Sequence, residues 1–422
     1  MRKNSRISSG LSRRQFLKGL GVSGAGLMLA QAGLMRLAAQ AGSINYWHHF
    51  TSESEFLGLE AIMAQFKERY PDIDLIQENI PNADFMARFT AGVLADTRAN
   101  VSMVTTERLA DMVAMEGLVP ITDRVNSWEL REYFPDNRWT GITVDGEIYG
   151  VPAFSFVDWM YYRKDWFEEA GITPPTTLDE FRAACVALTD PAQGRYGFGM
   201  RAGGGGQAFI ADMIEAFGSP LVVDGEVAID RALAIEAMDF WSGLYKDGLV
   251  PPSAPGDSYR QIMEGFKTGQ TGMVWHHTGS LAEIQAAMTP DQFGTATKPT
   301  GPADTLTRTS FLYNGLMKDE NADAAWAWVS FWGENDPAIT FLEATGYFPA
   351  STAVADDARI AENPIYAPAI VSAAQGKLPP QFIGFAGWSQ EIALPAFQRI
   401  LTGESTVEQA VDEMISGLAD AL

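Results

Sequence analysis

Segments with the pattern of strands and helices alternate after the first forty residues, and this alternation limits the fold more than any other feature. Residues 44–46 alternate apolar and polar side chains as in a short strand, and residues 56–70 repeat apolar side chains at helical spacing until Pro71 stops the helix. A second strand pattern over 72–80 and a second helix pattern over 84–94 follow. Strands separated by helices predict an α/β fold with a mostly parallel sheet, which holds ligands at the carboxyl ends of its strands.

The first 41 residues have the parts of an export signal. Arg13 and Arg14 precede Phe16, a segment rich in glycine, alanine and leucine follows, and the small residues of Ala39-Gln40-Ala41 form a cleavage pattern. The paired arginines are typical of substrates of the twin-arginine export machinery, which carries folded proteins. Glycines and polar residues make the apolar segment too weak for a membrane anchor, and no cysteine for lipid attachment lies near the cleavage site. We expect a soluble periplasmic protein without a lipid anchor, whose mature chain starts at Gly42.

The charge of the chain excludes some function classes. The chain holds 53 acidic and 30 basic residues, and the leader contains seven of the basic residues and none of the acidic ones, so the mature part carries 53 against 23 and a net charge of −30. Such a surface repels phosphate backbones and anionic lipids, so we expect no binding to nucleic acid. Cys185 is the only cysteine, so no intrachain disulfide can form and the core alone must stabilise the fold.

A second α/β region follows a predicted hairpin at residues 146–150. The aromatic strand at 153–162 and another strand near 310–314 are predicted to cross between two domains. Further predicted elements are helices at 178–188, 207–217, 231–246 and 322–332, a strand at 272–276, and a terminal helical block that ends at residue 422. About 380 mature residues suffice for two ordinary domains.

Several phrases of the sequence resemble one protein family over essentially the whole mature chain. They are Gly150-Val151-Pro152, the run from Tyr161-Tyr162-Arg163-Lys164-Asp165 to Ile172, Pro174-Pro175-Thr176-Thr177-Leu178-Asp179-Glu180-Phe181, Phe266-Lys267-Thr268-Gly269-Gln270-Thr271-Gly272-Met273, Ala324-Ala325-Trp326, and Gly346 to Ala350. Together they closely resemble the signature of family 1 extracellular solute-binding proteins, the sugar-binding components of ABC importers. Locally, Pro174 and Pro175 cannot continue a helix and Thr177 can cap the next one.

The resemblance implies a two-lobed periplasmic binding protein fold of type II, with each lobe a mostly parallel sheet flanked by helices and with crossing hinge strands between the lobes. It assigns residues 42–153 and 314–349 to the first lobe and residues 154–313 and 350–422 to the second. It also implies a monomer that closes around one carbohydrate or polyol, docks on the permease subunits of an ABC transporter at the inner membrane, performs no catalysis and needs no cofactor.

All four histidines occur in two doublets, and both lie at predicted strand ends that resemble cleft-facing segments of the family. His48 and His49 end the first strand, and His276 and His277 end a strand of the second lobe. Imidazoles can hydrogen-bond sugar hydroxyls, and the neighbouring Trp47 and Trp275 could stack on a pyranose ring. An alternative for each histidine is a satisfied polar residue in a loop.

Other candidate ligand groups lie on a loop, on the crossing strand and on segments similar to cleft or hinge segments of the family. Arg201 precedes a glycine run at 203–206 that opens a helix, whose unpaired amides could bind hydroxyls or an acidic group, although the run could equally be a flexible connection. Phe156 and Asp158 share one face of the crossing strand. Glu107 follows a strand pattern at 101–105 and could equally be an exposed surface acid. The remaining candidates are Gly204 and Gln207 of the glycine loop, and Asn314, Phe348 and Trp388 on segments similar to hinge or cleft segments of the family.

Three alternatives to sugar binding remain open. A metal site would need both histidine doublets to converge on one ion, which the alternation of side chains along a strand opposes, so we expect no metal; nor do we expect Tyr161 and Tyr162 to bind iron. A glycosidase would need two carboxylates, such as those of Asp158 and Glu107, on either side of a bond. Glycerol phosphate esters or acidic sugars would be favoured by Arg201 and the histidines.

Overall fold

Three parallel strands open the fold, as the sequence predicts. The structure is a computed structural model that describes residues 42–422 except 83, 135, 355, 356, 381 and 383. The predicted signal peptide, residues 1–41, lies outside the described residues. Within the described part of the chain, no helix is both long and apolar enough to cross a membrane.

The strands are β1 Gly42–His48, β2 Ile73–Asn79, β3 Val101–Thr105, β4 Thr143–Val144, β5 Glu147–Ile148, β6 Val151–Arg163, β7 Tyr196–Phe198, β8 Val222–Val223, β9 Glu226–Val227, β10 Thr271–His277, β11 Phe293–Ala296, β12 Thr309–Leu316 and β13 Phe348–Pro349. The α-helices are α1 Glu53–Arg69, α2 Phe85–Leu94, α3 Thr106–Ala114, α4 Thr122–Asn126, α5 Asp136–Thr140, α6 Lys164–Ala170, α7 Leu178–Leu188, α8 Gln207–Ala216, α9 Arg231–Lys246, α10 Tyr259–Lys267, α11 Leu281–Ala287, α12 Ala322–Phe331, α13 Asn335–Thr345, α14 Ala358–Ala361, α15 Ala367–Gln375, α16 Phe385–Gly387, α17 Leu394–Thr402 and α18 Val407–Ala421. A π-helical segment, Trp388–Ala393, joins α16 to α17.

Capping residues set the starts of two predicted helices. The Ser52 hydroxyl accepts from the backbone N–H of Glu55, and the Glu55 carboxylate accepts from the backbone N–H of Ser52, so α1 begins with a capping box. Thr177 and Glu180 form the same arrangement at the start of α7, which confirms Thr177 as a cap. Both boxes satisfy amides that a helix start leaves unpaired.

The main strands follow the order β2-β1-β3-β12-β6-β10-β7. Strand β1 pairs in parallel with β2 and β3, and β10 pairs in parallel with β7. The two predicted crossing strands are β6 and β12, and they pair antiparallel with each other and with their neighbours β10 and β3. The sheets are therefore mixed, and the predicted parallel pairing holds only at the outer parts of each lobe.

Buried apolar side chains form three clusters. The first lies around β1, β3 and α12, and the second lies around α7, α8, α9 and one face of β10. The third packs on the face of β6 and β10 that points away from the second cluster. Trp326, Trp328 and Trp332 belong to the first cluster, which confirms that they are core residues. Helix α13 contributes Phe341 to the first cluster and Leu342 to the third. Because α13 packs in two clusters, it joins the two halves of the molecule near the ends of β1 and β10.

Candidate functional site

The carboxyl ends of β1 and β10 lie on either side of the crossing strands, and Tyr347 connects them. The Tyr347 hydroxyl donates to Oε1 of Glu55, in the first turn of α1, over 2.9 Å. Its ring also lies on Gly279, just after β10, so closely that a Cβ at position 279 would overlap the ring. A single side chain thus contacts the segments that follow both strands, and we name the space between these strand ends the cleft.

An aromatic cluster forms the base of the cleft. The ring of Phe156, on β6, lies 4.7 Å from the ring of His277 and 4.7 Å from that of Tyr347. The rings of His277 and Tyr347 are 5.6 Å apart. Phe156 and His277 are partly exposed, so the cluster combines an apolar face with polar edges. Such a surface suits the apolar face and the hydroxyls of a sugar ring.

Both histidines of the second doublet are neutral hydrogen-bonding groups at neutral pH. Nδ1 of His277 accepts from the backbone N–H of Gly279 over 3.1 Å, so the neutral ring carries its proton on Nε2. Burial, with help from the charge of Arg201, lowers the pKa of His277 to about 3. Nδ1 of His276 lies 2.7 Å from the hydroxyl of Ser280, and burial lowers the pKa of His276 well below its usual value.

His49 and Arg108 form the first-lobe wall of the cleft. The ring of His49 meets Phe85 edge-on at 5.5 Å, and the guanidinium of Arg108 lies 4.8 Å over the same ring. Nδ1 of His49 and Nη1 of Arg108 are buried and have no hydrogen-bond partner among the described residues. Burial, and then the charge of Arg108, lowers the pKa of His49 to about 3.

The glycine loop holds Arg201 against the second-lobe wall. Nε of Arg201 donates to the carbonyl oxygen of Gly204 over 2.8 Å. Gly205 has a φ of +91°, and a Cβ there would overlap the guanidinium, so only glycine fits this position. Gly204 itself is exposed, whereas Gln207 opens α8 with its Oε1 buried and without a partner among the described residues.

Asp158 is engaged by a buried ion network beneath the cleft. Its Oδ2 lies 3.2 Å from Nζ of Lys298, whose side chain has no exposed surface. Nζ of Lys298 also lies 3.7 Å from Asp212, which Arg308 binds at 2.6 Å. Burial raises the pKa of Asp158, and the charge of Lys298 opposes this rise. Asp158 therefore has a protein partner before any ligand binds.

The predicted stacking tryptophans lie in cores. Trp47 is buried, its Nε1 donates to Glu78 over 2.8 Å, and Arg88 lies 4.6 Å over its ring. Trp275 is buried and stacks on Trp241 with ring centres 5.4 Å apart. In this conformation neither ring has a free face for a sugar, because each points away from the cleft at its strand end.

Four other candidates also point into the protein, and each has an internal contact. Nε2 of buried His48 lies 2.7 Å from Gln77, and buried Asn314 accepts from the Tyr46 hydroxyl over 3.0 Å. Phe348 is buried in the third cluster against Tyr366. Trp388 is buried in the second cluster and its Nε1 donates to the carbonyl oxygen of Met414 over 2.8 Å. We therefore leave these four side chains out of the proposed contacts.

Glu107 lies in the first turn of α3, half-buried beside Arg108. The negative charge of Glu107 favours the protonated forms of Arg108 and Tyr313. The negative charge of Asp158 favours the protonated form of Arg201. The two predicted carboxylates thus sit in different charged groups. Among the described residues, no three or more histidine, cysteine, aspartate or glutamate side chains are grouped to hold a metal ion.

Sequence reasoning missed Tyr347, Tyr259, Lys298 and Arg108. The ring of Tyr259 lies 4.6 Å from that of His276, and its hydroxyl donates to Glu283. Tyr347 directly precedes the predicted Phe348, the first residue of β13, and neighbouring side chains of an extended segment tend to face opposite sides, which could have suggested that only one of the two faces the cleft. Nothing in the sequence near Tyr259 or Lys298 signals its contact, because the contact partners are distant in the chain.

Comparison with known proteins gives two family matches. Residues 51–339 match the model of the bacterial extracellular solute-binding protein family, and residues 10–30 match the model of the twin-arginine translocation pathway signal sequence. The first match spans more than half of the chain.

The curated relatives include binding proteins from bacteria and an archaeon. A putative binding protein of Brucella abortus is 25% identical over 335 residues, which cover 77% of this chain and 80% of the relative. The maltotriose-binding protein of Pyrococcus abyssi is 22% identical over 77% of this chain and 70% of its own length. The mannitol-binding protein of Pseudomonas aeruginosa is 26% identical over 53% and 52%, respectively.

Solved structures share the two-lobed fold. The GacH receptor of Streptomyces glaucescens, known without ligand and with acarbose, superposes with a TM-score of 0.81 at 17% identity over 90% of this chain and 99% of that one. A maltose-bound protein of T. maritima gives a TM-score of 0.80 at 22% identity over 90% of this chain and 100% of that one. The predicted α/β fold of the periplasmic binding protein type is thereby confirmed.

Proposed function

Because this chain belongs to the bacterial extracellular solute-binding protein family, we propose that it captures a carbohydrate or a polyol in the cleft and delivers it to an ABC import permease at the inner membrane. The protein is exported to the periplasm by the twin-arginine route, since the signal sequence lies at residues 10–30. Relatives named for maltotriose, mannitol and lactose support this class of solute.

One observation on the cleft carries the proposal: buried polar groups without protein partners lie on both of its walls. They are Nδ1 of His49 and Nη1 of Arg108 on one side, and Oε1 of Gln207 on the other. Buried donors and acceptors are costly when unsatisfied, and the hydroxyls of a sugar can both donate and accept. The aromatic cluster of Phe156, His277 and Tyr347 supplies the apolar surface for the sugar ring.

The proposed contacts are a subset of the residues predicted from the sequence together with residues that the structure adds. They are His49, Phe156, Asp158, Arg201, Gly204, Gln207, His276, His277 and Glu107, with Tyr347, Tyr259 and Arg108. Asp158 belongs here because its side chain, although paired with Lys298, retains exposed surface.

We propose the division into lobes that the sequence predicts, with residues 42–153 and 314–349 in one lobe and residues 154–313 and 350–422 in the other. We also propose that the protein is a monomer and that its lobes close about β6 and β12. Clusters of buried side chains on either side of these two strands support the division. Helix α13 ends before the proposed boundary at residue 349, and it contributes Phe341 to the first cluster and Leu342 to the third.

We propose that no chemistry takes place in the cleft. A glycosidase needs two carboxylates whose protonation differs, one on each side of the scissile bond. Asp158 is bound by buried Lys298, and Glu107 lies in another charged group, beside Arg108 and Tyr313. This arrangement favours binding over hydrolysis.

Thermal-shift screening with neutral sugars, polyols, sugar acids and phosphate esters tests the proposal. A bound solute raises the unfolding temperature by mass action, and chromatography of the recovered solute shows whether it is intact. We expect a shift that grows with solute concentration and unchanged solute. Release of cleaved sugar would contradict binding without catalysis, and a flat response across the whole panel would contradict solute capture.

A further inference from the structure

Two arginines of the cleft stand out because this acid-rich chain pairs nearly all the others. Among the described side chains, Arg69, Arg88, Arg98, Arg124, Arg131, Arg163, Arg182, Arg195, Arg231, Arg308 and Arg399 each lie within 4.0 Å of a carboxylate oxygen. Arg260 lacks such a partner but is exposed to water. Arg108, Arg138 and Arg201 also lack one in the described part of the chain, and they are only partly exposed.

Arg138 has a structural explanation. Its guanidinium lies 4.4 Å over the ring of Phe311 on β12, and the Tyr313 hydroxyl donates to its backbone carbonyl oxygen over 3.0 Å. A guanidinium stacked on an aromatic face gains a favourable cation–π interaction. Arg138 thus fixes α5 against the crossing strand, and we do not assign it to the ligand.

Arg201 offers an open pair of donors. Its Nε is used by the carbonyl oxygen of Gly204, while its two terminal nitrogens have no acceptor within hydrogen-bond distance among the described residues. The nearby acid Asp158 is turned toward Lys298 at 3.2 Å instead. Gly205 beneath the guanidinium fixes its orientation, so its terminal N–H groups are presented as a preformed fork. Such a fork matches the two oxygens of a carboxylate or phosphate.

Arg108, on the first-lobe wall, is a second guanidinium without a carboxylate within 4.0 Å among the described residues. Its Nη2 donates to the carbonyl oxygen of Asn82 over 3.0 Å, and its Nη1 is buried without a partner. Helix α3, which carries Arg108, approaches the second-lobe turn α16. Glu107 is adjacent in sequence, and its charge partly offsets the lowering of the pKa of Arg108 by burial, but the two side chains form no ion pair.

We propose that the solute carries an acidic group, a carboxylate or a phosphate, which is bound by the fork of Arg201 while Arg108 adds positive charge from the first lobe. The inference rests on the proposed function and narrows its solute class to acidic sugars or acidic polyol derivatives. The charges of Asp158 and Glu107 act on these two arginines without a direct ion pair. A partly buried guanidinium without a direct partner is costly, and a mature chain of net charge −30 has many acids that could pair with it, so we infer that the ligand supplies this partner.

Calorimetry with matched pairs of probes tests the inference. Glucose is compared with glucuronate, galactose with galacturonate, mannitol with mannonate, and glycerol with glycerol 3-phosphate, at equal ionic strength because screening weakens charge pairs. We expect an acidic member to bind at least about tenfold more tightly than its neutral counterpart, since charge-assisted bidentate bonds are roughly twice as strong as neutral ones. The carboxylate and phosphate pairs identify which group is bound.

Variants distinguish a specific contact with Arg201 or Arg108 from a general effect of the charge of the protein. Arg201→Gln and Arg108→Gln should each weaken binding of the acidic probe about tenfold or more, and most of the preference over the neutral probe should disappear. Arg260→Gln is the matched control, because it removes the same charge from exposed α10, next to Tyr259, and should leave affinity within about twofold. Circular dichroism checks that each variant is folded.

The outcomes separate the two proposals. Tight binding of a neutral probe with no gain from the acidic group would overturn the acidic-solute inference and leave solute capture intact. An equal loss of affinity for acidic and neutral probes in Arg201→Gln would also overturn it, because the arginine would then bind hydroxyls. Failure of every probe, acidic and neutral, to bind would overturn both.

Discussion

Adjacent residues at the ends of β1 and β10 have different surroundings. His48 points inward, with its Nε2 2.7 Å from Gln77, whereas His49 points toward Phe85 and Arg108 at the cleft wall. The alternation of side chains along a strand explains this difference, since neighbouring residues face opposite sides of the sheet. The first histidine doublet therefore supplies one structural group, His48, and one proposed ligand contact, His49.

His48 and His49 should respond differently to replacement by alanine. His48→Ala leaves the partners Gln77 and the backbone N–H of Phe50 unsatisfied, so it should lower the free energy of unfolding by about 1–3 kcal/mol and hardly change affinity. His49→Ala should weaken solute binding by about 1–3 kcal/mol. Urea denaturation and calorimetry measure the two effects, and a chelator should alter neither. Loss of affinity on chelation would instead indicate a metal site.

Two partly buried histidines of the cleft should make the native state sensitive to acid. His49 and His277 have pKa values of about 3, below the ordinary value of about 6.5 that the unfolded chain regains. Below pH 6.5 the unfolded state therefore binds protons that the native state does not, so stability is full above this pH and falls as the pH drops toward 3. At pH 5 the loss should be up to about 2 kcal/mol for each histidine.

Urea denaturation of the wild type and of His277→Asn at pH 7 and pH 5 measures this effect. Carboxylates titrate in both proteins, so the difference between them isolates the histidine. The variant should lose less stability between the two pH values than the wild type. Equal losses would show that His277 takes up its proton in the native state without penalty.

At the scale of elements, the loop between β7 and α8 shows how backbone geometry positions a functional side chain. Gly204 has open space around its Cα, whereas Gly205 combines a φ of +91° with the guanidinium of Arg201 packed where a Cβ would be. The glycine run is thus not merely a flexible connection, because one of its members has a required conformation.

Alanine at these two glycines gives a matched comparison. Gly205→Ala should lower the free energy of unfolding by about 1–2 kcal/mol, because an L-residue is strained at this φ, and should weaken solute binding by displacing Arg201. Gly204→Ala should leave stability within about 0.5 kcal/mol. Thermal denaturation and calorimetry of both variants provide the check, and equal behaviour of the two would contradict the role given to Gly205.

The sequence predicted the elements better than it predicted the cleft. The helices α7 and α9 span the residues expected from their apolar spacing, because a long periodic segment buries one face whatever its packing partners are. Strand β10 differs from its prediction by one residue at each end. Trp47 and Trp275 were assigned to the ligand by residue type, but their rings pack on Arg88 and Trp241 within the lobes. Contacts such as Tyr347 with Glu55 join residues 292 positions apart and have no local pattern.

At the scale of the whole molecule, export and binding depend on separate parts of the chain. The twin-arginine signal lies at residues 10–30, and the solute-binding family match begins at residue 51. A change in the leader should therefore affect where the protein is found and not whether it folds.

Replacing Arg13 and Arg14 together with lysine tests this separation. The transport receptor reads the paired guanidinium groups, so export should cease and folded protein should accumulate in the cytoplasm. Fractionation with immunoblotting measures export, and ligand-induced thermal shift of the cytoplasmic material measures folding. Periplasmic amounts equal to those of the wild type would contradict the twin-arginine assignment.

The proposed function requires two lobes to close around the solute, because β6 and β12 cross between them and polar groups without partners lie on both walls of the cleft. Small-angle scattering of the mature protein, with and without a solute that calorimetry shows to be bound at saturation, tests this claim most directly. We predict one solute per chain and a smaller radius of gyration in the bound state. An unchanged radius of gyration at confirmed saturation would contradict capture by closure.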